Sequence, residues 1–119
     1  MKYTEDLHQQ HLVTWFRMSR PKLKGLFYHI PNGQNVGPRV GARLKKTGLV
    51  SGVPDLHLAI ASCGFNGLYI EMKSKEGTNS KAQDVIQALL IEQNYRVEVC
   101  RSWDEGRFVI EEYLGDYYG

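Results

Sequence analysis

Between Leu7 and Pro54 the chain has no aspartate and no glutamate. Those 48 residues carry Arg17, Arg20, Lys22, Lys24, Arg39, Arg43, Lys45 and Lys46, a local charge of +8 inside a formal net charge of only +2. So long a block without a compensating acid favours a polyanion as partner over charges scattered on a solvated surface. Cysteine is nearly absent: Cys63 and Cys100 stand alone, with no CxxC and no paired Cys/His spacing. That argues against zinc and against a disulfide framework, and leaves reduced, mostly buried thiols in a cytoplasmic protein as the expectation. No apolar run reaches the ~18–20 residues that span a bilayer, and the polar N-terminus lacks the apolar region of a signal peptide, so no membrane partner is expected. Low-complexity tracts and internal repeats are missing too. With 119 residues, 42% of them apolar, the chain is expected to form one domain over 1–119 around one core.

What is present reads as alternating elements. Thr4 looks like a cap, with Glu5 and Asp6 in the first turn of a helix that runs to about Ser19 and is ended by Pro21. Leu12, Trp15 and Phe16 form its apolar stripe, and Glu5 and Gln9 lie on or beside that inward face. A strand over 25–30 stops at the turn Pro31-Asn32-Gly33. A short helix over about 38–47 places Arg39, Arg43 and Lys46 on one face. Strands over 54–61 and 67–73 follow, joined by a small-residue turn at 62–66. Ser80 opens a helix to about Gln93, residues 95–100 form a fourth strand, and Ser102-Trp103-Asp104-Glu105 reads as a capping box for a last helix. The main order α-β-β-β-α-β-α predicts an α/β domain with a mixed central sheet of about four strands flanked by helices.

The chemistry gathers at the hairpin. Asp55 opens one strand and Glu71, sixteen residues on, nears the end of the next. Period-2 alternation puts Leu56, Leu58 and Ile60 on the core face and Asp55 and His57 on the other; likewise Leu68, Ile70 and Met72 oppose Tyr69, Glu71 and Lys73. Antiparallel pairing then brings Asp55 and Glu71 to the same end. Two adjacent carboxylates repel unless a cation sits between them, and Mg²⁺ takes such oxygens together with phosphate. A metal ion lowers the pKa of bound water, and Lys73 is placed to orient that water or to offset charge on the phosphorus centre. Each motif alone is commonly structural: a turn ending in Pro-Asp, or a solvated Glu-x-Lys ladder. Together, behind a basic segment, they point to a metal-dependent nuclease.

Glu5, Gly52-Val53-Pro54-Asp55, Glu71-x-Lys73 and Gln83, in that order, resemble the VRR-NUC family, the virus-type replication-repair nucleases of the PD-(D/E)xK superfamily. Ile30-Pro31-Asn32-Gly33 and Lys45-Lys46-x-Gly48 look like its compact stand-alone phage and bacterial members. The resemblance implies a restriction-endonuclease-like core, with Asp55, Glu71 and the Met72 backbone carbonyl as metal ligands and Lys73 assisting catalysis. Glu5 would complete the acidic cluster and Gln83 would line the site. It implies Mg²⁺, with Mn²⁺ able to substitute, and a homodimer cutting branched DNA such as Holliday junctions in the cytoplasm of a bacterium or a phage-infected host.

Competing readings attach to several residues. Ser80-x-x-Gln83 is also a capping box, and Glu5 also suits a helix N-terminus. Arg39, Arg43, Lys45 and Lys46 suit phosphate contacts, which position DNA without reading sequence. Asn32 and Gln34 are turn residues by default and DNA contacts by extension. His57 is more often packing than substrate contact, and His8, His11 and His29 have no ligand spacing. Trp15 and Phe16 are expected in the core and Trp103 in the core or at an interface; no role attaches to Tyr113, Tyr117 and Tyr118. Two other functions stay open: a DNA-binding module without chemistry, and a nuclease acting on RNA or simple DNA ends.

Overall fold

The computed structural model describes residues 4–32 and 36–115. Gln34, Tyr117 and Tyr118 lie outside them. Helix α1 (Glu5–Ser19) starts where Thr4 Oγ1 accepts the Leu7 N–H at 3.2 Å. A 3-10 helix over Pro21–Leu26 follows, then β1 (Phe27–His29), α2 (Pro38–Lys46), β2 (Leu56–Leu58), β3 (Leu68–Met72), α3 (Lys81–Glu92), β4 (Arg96–Cys100) and α4 (Trp103–Leu114). The strands form one sheet in the order β1-β2-β3-β4, antiparallel except for the parallel pair β3–β4. The expected mixed α/β architecture with a four-stranded sheet is therefore present.

The first two strands are shorter than expected. Residues 21–26 coil into a 3-10 helix that Pro21 opens, and only Leu26 at its end reaches the neighbouring chain, its carbonyl accepting the Ala59 N–H at 2.8 Å. The second strand keeps only Leu56–Leu58, although Ile60 beyond it is buried.

One face of the sheet is sealed. Leu56, Leu58, Leu68, Ile70 and Met72 meet Leu12 and Phe16 of α1 and Val109, Ile110, Tyr113 and Leu114 of α4 in a single buried cluster. The two helices touch closely at Gly106, where a Cβ would come within 2.6 Å of Leu12 Cδ2. Tyr113, from the end of the chain to which no role attached, is fully buried and donates its hydroxyl to the Ile60 carbonyl at 2.6 Å. Trp15 departs from its expected core position. It is only partly buried, with the guanidinium groups of Arg20 and Arg107 over its ring at 5.6 and 5.8 Å. Helix α3 packs on β4. Its N-terminus reaches the end of the sheet where Asp55 and Glu71 lie.

Candidate active site

The β2–β3 register pairs Leu56 with Ile70, which sets Asp55 opposite Glu71 at the sheet end. Asp55 is fixed there by two backbone contacts. Its Oδ2 accepts the Met72 N–H at 2.8 Å, and its carbonyl accepts the Ile30 N–H at 2.7 Å. The first ties it to β3 and the second to the end of β1, so the side chain has little freedom left.

Glu71 is only 4% exposed, although it leaves β3 on the face away from the core. Gln83 of α3 covers it, donating Nε2 to Glu71 Oε2 at 3.2 Å. The Lys73 Nζ stands 3.6 Å from the same oxygen. The other oxygen, Oε1, is buried and receives no hydrogen bond. Burial first, and the neighbouring Asp55 carboxylate second, push the Glu71 carboxyl up to about 8, with Lys73 pulling the other way.

Gln83 both caps its helix and contacts Glu71 and Lys73. Its Oε1 accepts the Ser80 N–H at 2.8 Å while Ser80 Oγ accepts the Gln83 N–H at 3.2 Å, a complete capping box. The same Oε1 accepts from Lys73 Nζ at 2.7 Å. One amide thus starts α3, holds the ammonium and touches the buried carboxylate. The α4 box is only half formed. Ser102 Oγ caps Glu105, but the Glu105 carboxylate takes the Arg101 N–H, one residue early.

Glu5, Asp55, Glu71, Met72, Lys73, Gln83 and Asn32 all line one cavity of about 390 Å³. Asp6, Gln9 and His29 line it as well. Of these, Asp6 and His29 went unmarked in the sequence. The His29 signal was its place at the end of the strand before Asp55: His29 pairs with Leu56, and its Nδ1 lies 3.0 Å from the Asp55 carbonyl. Arg39, Arg43, Lys45 and Lys46 do not join the cavity. They are exposed on α2, none of whose residues is buried.

Two carboxylates pressed together, one with a buried oxygen that no donor reaches, form a donor set suited to a cation. Hard oxygens from Asp55 and Glu71, with the Met72 backbone lining the same cavity, match what Mg²⁺ takes from protein. Among the described residues no three His, Cys, Asp or Glu side chains are gathered as a ready ligand set. Glu5 therefore lines the cavity without closing with Asp55 and Glu71 into a three-carboxylate cluster, and the rest of the ion's shell would come from water and phosphate.

The VRR-NUC domain model matches residues 4–104. A solved structure described as a VRR_NUC domain protein superposes with a TM-score of 0.82 at 27% identity, over 96% of this chain and 90% of that one. No curated protein matches the sequence. No helix among the described residues is long and apolar enough to cross a membrane. The matched span runs from the cap of α1 into the first turn of α4 and so takes in both carboxylates, the lysine and the capping glutamine: the chain belongs to the VRR-NUC family and has its nuclease-type fold.

Proposed function

We propose that this protein is a Mg²⁺-dependent endodeoxyribonuclease, with Mn²⁺ able to substitute, that cuts branched DNA such as Holliday junctions in replication, repair or recombination. The observation that carries the reading is the buried Glu71 carboxylate set against Asp55 with an unpartnered oxygen. A purely structural site has no reason to keep that repulsion, because replacing a buried charge by an apolar group of similar volume often stabilises a protein.

Asp55, Glu71 and the Met72 carbonyl would hold the ion, which supplies Lewis-acid polarisation of the phosphodiester and a more acidic water. Lys73 has the protein's part in charge stabilisation. Gln83 holds its Nζ at 2.7 Å, so the ammonium faces the cavity and does not collapse fully onto Glu71. Asp55 is locked by the Met72 N–H, and Glu71 by Gln83, which keeps the two carboxylates preorganised for the metal. Glu5 and Asn32 border the bound phosphodiester. Arg39, Arg43, Lys45 and Lys46 take phosphates farther along the strand and add affinity without base preference. No element that reads base edges stands out in the chain, so selectivity lies in substrate shape. A symmetric homodimer would set two such sites across a four-way junction.

The test is cleavage of a labelled synthetic four-way junction, flap, linear duplex and single strands of DNA and RNA, in Mg²⁺, Mn²⁺ or EDTA. Metal-dependent paired nicks in the junction, lost in Asp55→Asn and Lys73→Ala while binding persists, are expected. Binding without cleavage under every metal would make the protein a DNA-binding module, and preference for RNA or linear ends would replace the substrate class.

A further inference from the structure

The face of the sheet that bears Glu71 is covered only in part. Helix α3 lies on β4, and both α1 and α4 pack on the opposite, sealed face, while on this face the edge strand β1 leaves Tyr28 open to solvent. The side chains there are not aliphatic. Tyr28, His57 and Tyr69 stand directly across from one another in the strand register, and Tyr95 leans against them from the start of β4. His57 and Tyr69 stack face to face, with centroids 4.1 Å apart and planes 7° from parallel. Gly67 makes room for this packing: a Cβ there would come within 3.1 Å of the His57 ring and 3.2 Å of the Tyr95 ring.

Tyr28 ends the row on the edge strand. It is 43% exposed, and its ring is turned 82° from that of His57, while its hydroxyl and His57 Nδ1 hydrogen-bond at 2.8 Å. An exposed aromatic is ordinarily free to rotate; this one is pinned at its tip by a histidine that is itself clamped between rings. The result is a rigid aromatic surface that loses little entropy on binding a ligand.

Its position indicates what it takes. The row lies two residues from Asp55 and Glu71 along β2 and β3, about 7 Å from the carboxylate level, and on the same face as Glu71. We propose that Tyr28, backed by His57 and Tyr69, is a stacking site for one unpaired nucleobase flanking the phosphodiester held at Asp55 and Glu71. Every base has a π-face, so such a site is indifferent to sequence but selects for a base free to leave its pair, as at a branch point or frayed end. The inference rests on the nuclease reading for the location of the phosphodiester. A second copy of the chain is the weaker occupant. The most exposed apolar side chains suited to a protein contact, Met18 of α1, Val85, Leu89 and Ile91 of α3 and Phe108 of α4, lie on the helices and not in this row.

The experiment uses Asp55→Asn protein, so that bound DNA is not cut, and four-way junctions or duplexes carrying 2-aminopurine at or beside the branch point. Binding is expected to quench an unpaired probe at least twofold and to leave a probe within paired duplex unchanged. Adding Tyr28→Leu should remove the quench and weaken junction binding about tenfold with duplex binding unaltered, whereas Tyr28→Trp should retain both. Equal quenching in the leucine variant, an equal loss of junction and duplex binding, or conversion of a dimer to a monomer by light scattering would overturn the proposal. Failure of the parent protein to bind any DNA would remove the nuclease reading itself, and this one with it.

Discussion

On one face of the sheet Leu56, Leu58, Leu68 and Ile70 are completely buried beneath Leu12, Phe16 and Ile110. On the other, the alternate positions are Tyr28, His57, Tyr69 and Glu71, and their neighbours are rings, an amide and a like charge. The first face lowers the free energy of the fold by removing apolar area from water. The second holds a carboxylate where its charge is disfavoured. The same alternating pattern serves stability on one side and leaves the other side strained toward a ligand. That division predicts that damage to one face will leave the properties of the other largely intact.

The largest break should come from Glu71→Gln. Cleavage should fall by about 10³-fold, as expected when charge stabilisation at the reacting group is lost. The metal-free variant should nevertheless be at least as stable as the parent, because folding no longer has to neutralise a carboxylate that burial and Asp55 disfavour. Denaturant unfolding in EDTA checks this, and a clearly destabilised Glu71→Gln protein would mean that the carboxylate is structural. The mirror experiment is Ile110→Ala. It should cost about 2–5 kcal/mol through lost burial and a cavity, while the fraction still folded cleaves at the parent's rate. A large fall in specific activity there would show that the two faces are coupled.

The pH dependence sharpens the same contrast. In the metal-free folded protein Glu71 keeps its proton up to about 8, whereas an ordinary glutamate releases it near 4.5. Between those values the folded state binds the extra proton, so stability should fall as pH rises across the window and level off above it. Melting temperatures in EDTA from pH 5 to 9 should show that slope in the parent and lose it in Glu71→Gln; parallel curves would refute the assignment. Ser80→Ala should cost about 1 kcal/mol by removing one half of the cap, with cleavage nearly unchanged. Gln83→Ala should cost a similar amount and also reduce cleavage by about 10–100-fold, because it releases Lys73 and Glu71 together. Smallest of all should be the stability effect of replacing Arg39, Arg43 and Lys46 with alanine, within about 0.5 kcal/mol on an exposed helix. Its consequence should appear as a shallower dependence of DNA affinity on salt. An unchanged salt slope would remove α2 from the DNA path.

Much of this is legible in the order of residues. The caps at Thr4, Ser80 and Ser102 are local hydrogen bonds between residues three apart, and they form where the residue types announce them. The phasing of Asp55 against Glu71 needed only the two-residue repeat and one turn. The 3-10 segment at Pro21–Leu26 is not legible, because Gly25 and Leu26 lead straight into the apolar run of β1 and nothing local marks where the coil ends and the strand begins. Trp15 misled for a related reason. Helical spacing marks a stripe but not its edges, and the edge is where Arg20 and Arg107 cover the ring.

Legible in the residues alone are the order of the helices and strands apart from the 3-10 segment, the parity of the two hairpin strands and the grouping of two carboxylates with a lysine, since all of these follow from interactions between residues close along the chain or across one turn. It takes the packed fold to bring Glu5 and His29 to the same cavity, to join the α3 cap at Gln83 to Lys73 and Glu71, and to bury Glu71 while Tyr28 stays open. Those outcomes depend on how helices lie across the sheet. The angle and placement of that packing are set by many weak side-chain contacts at once, down to the close approach of Leu12 to Gly106, and no local pattern encodes them.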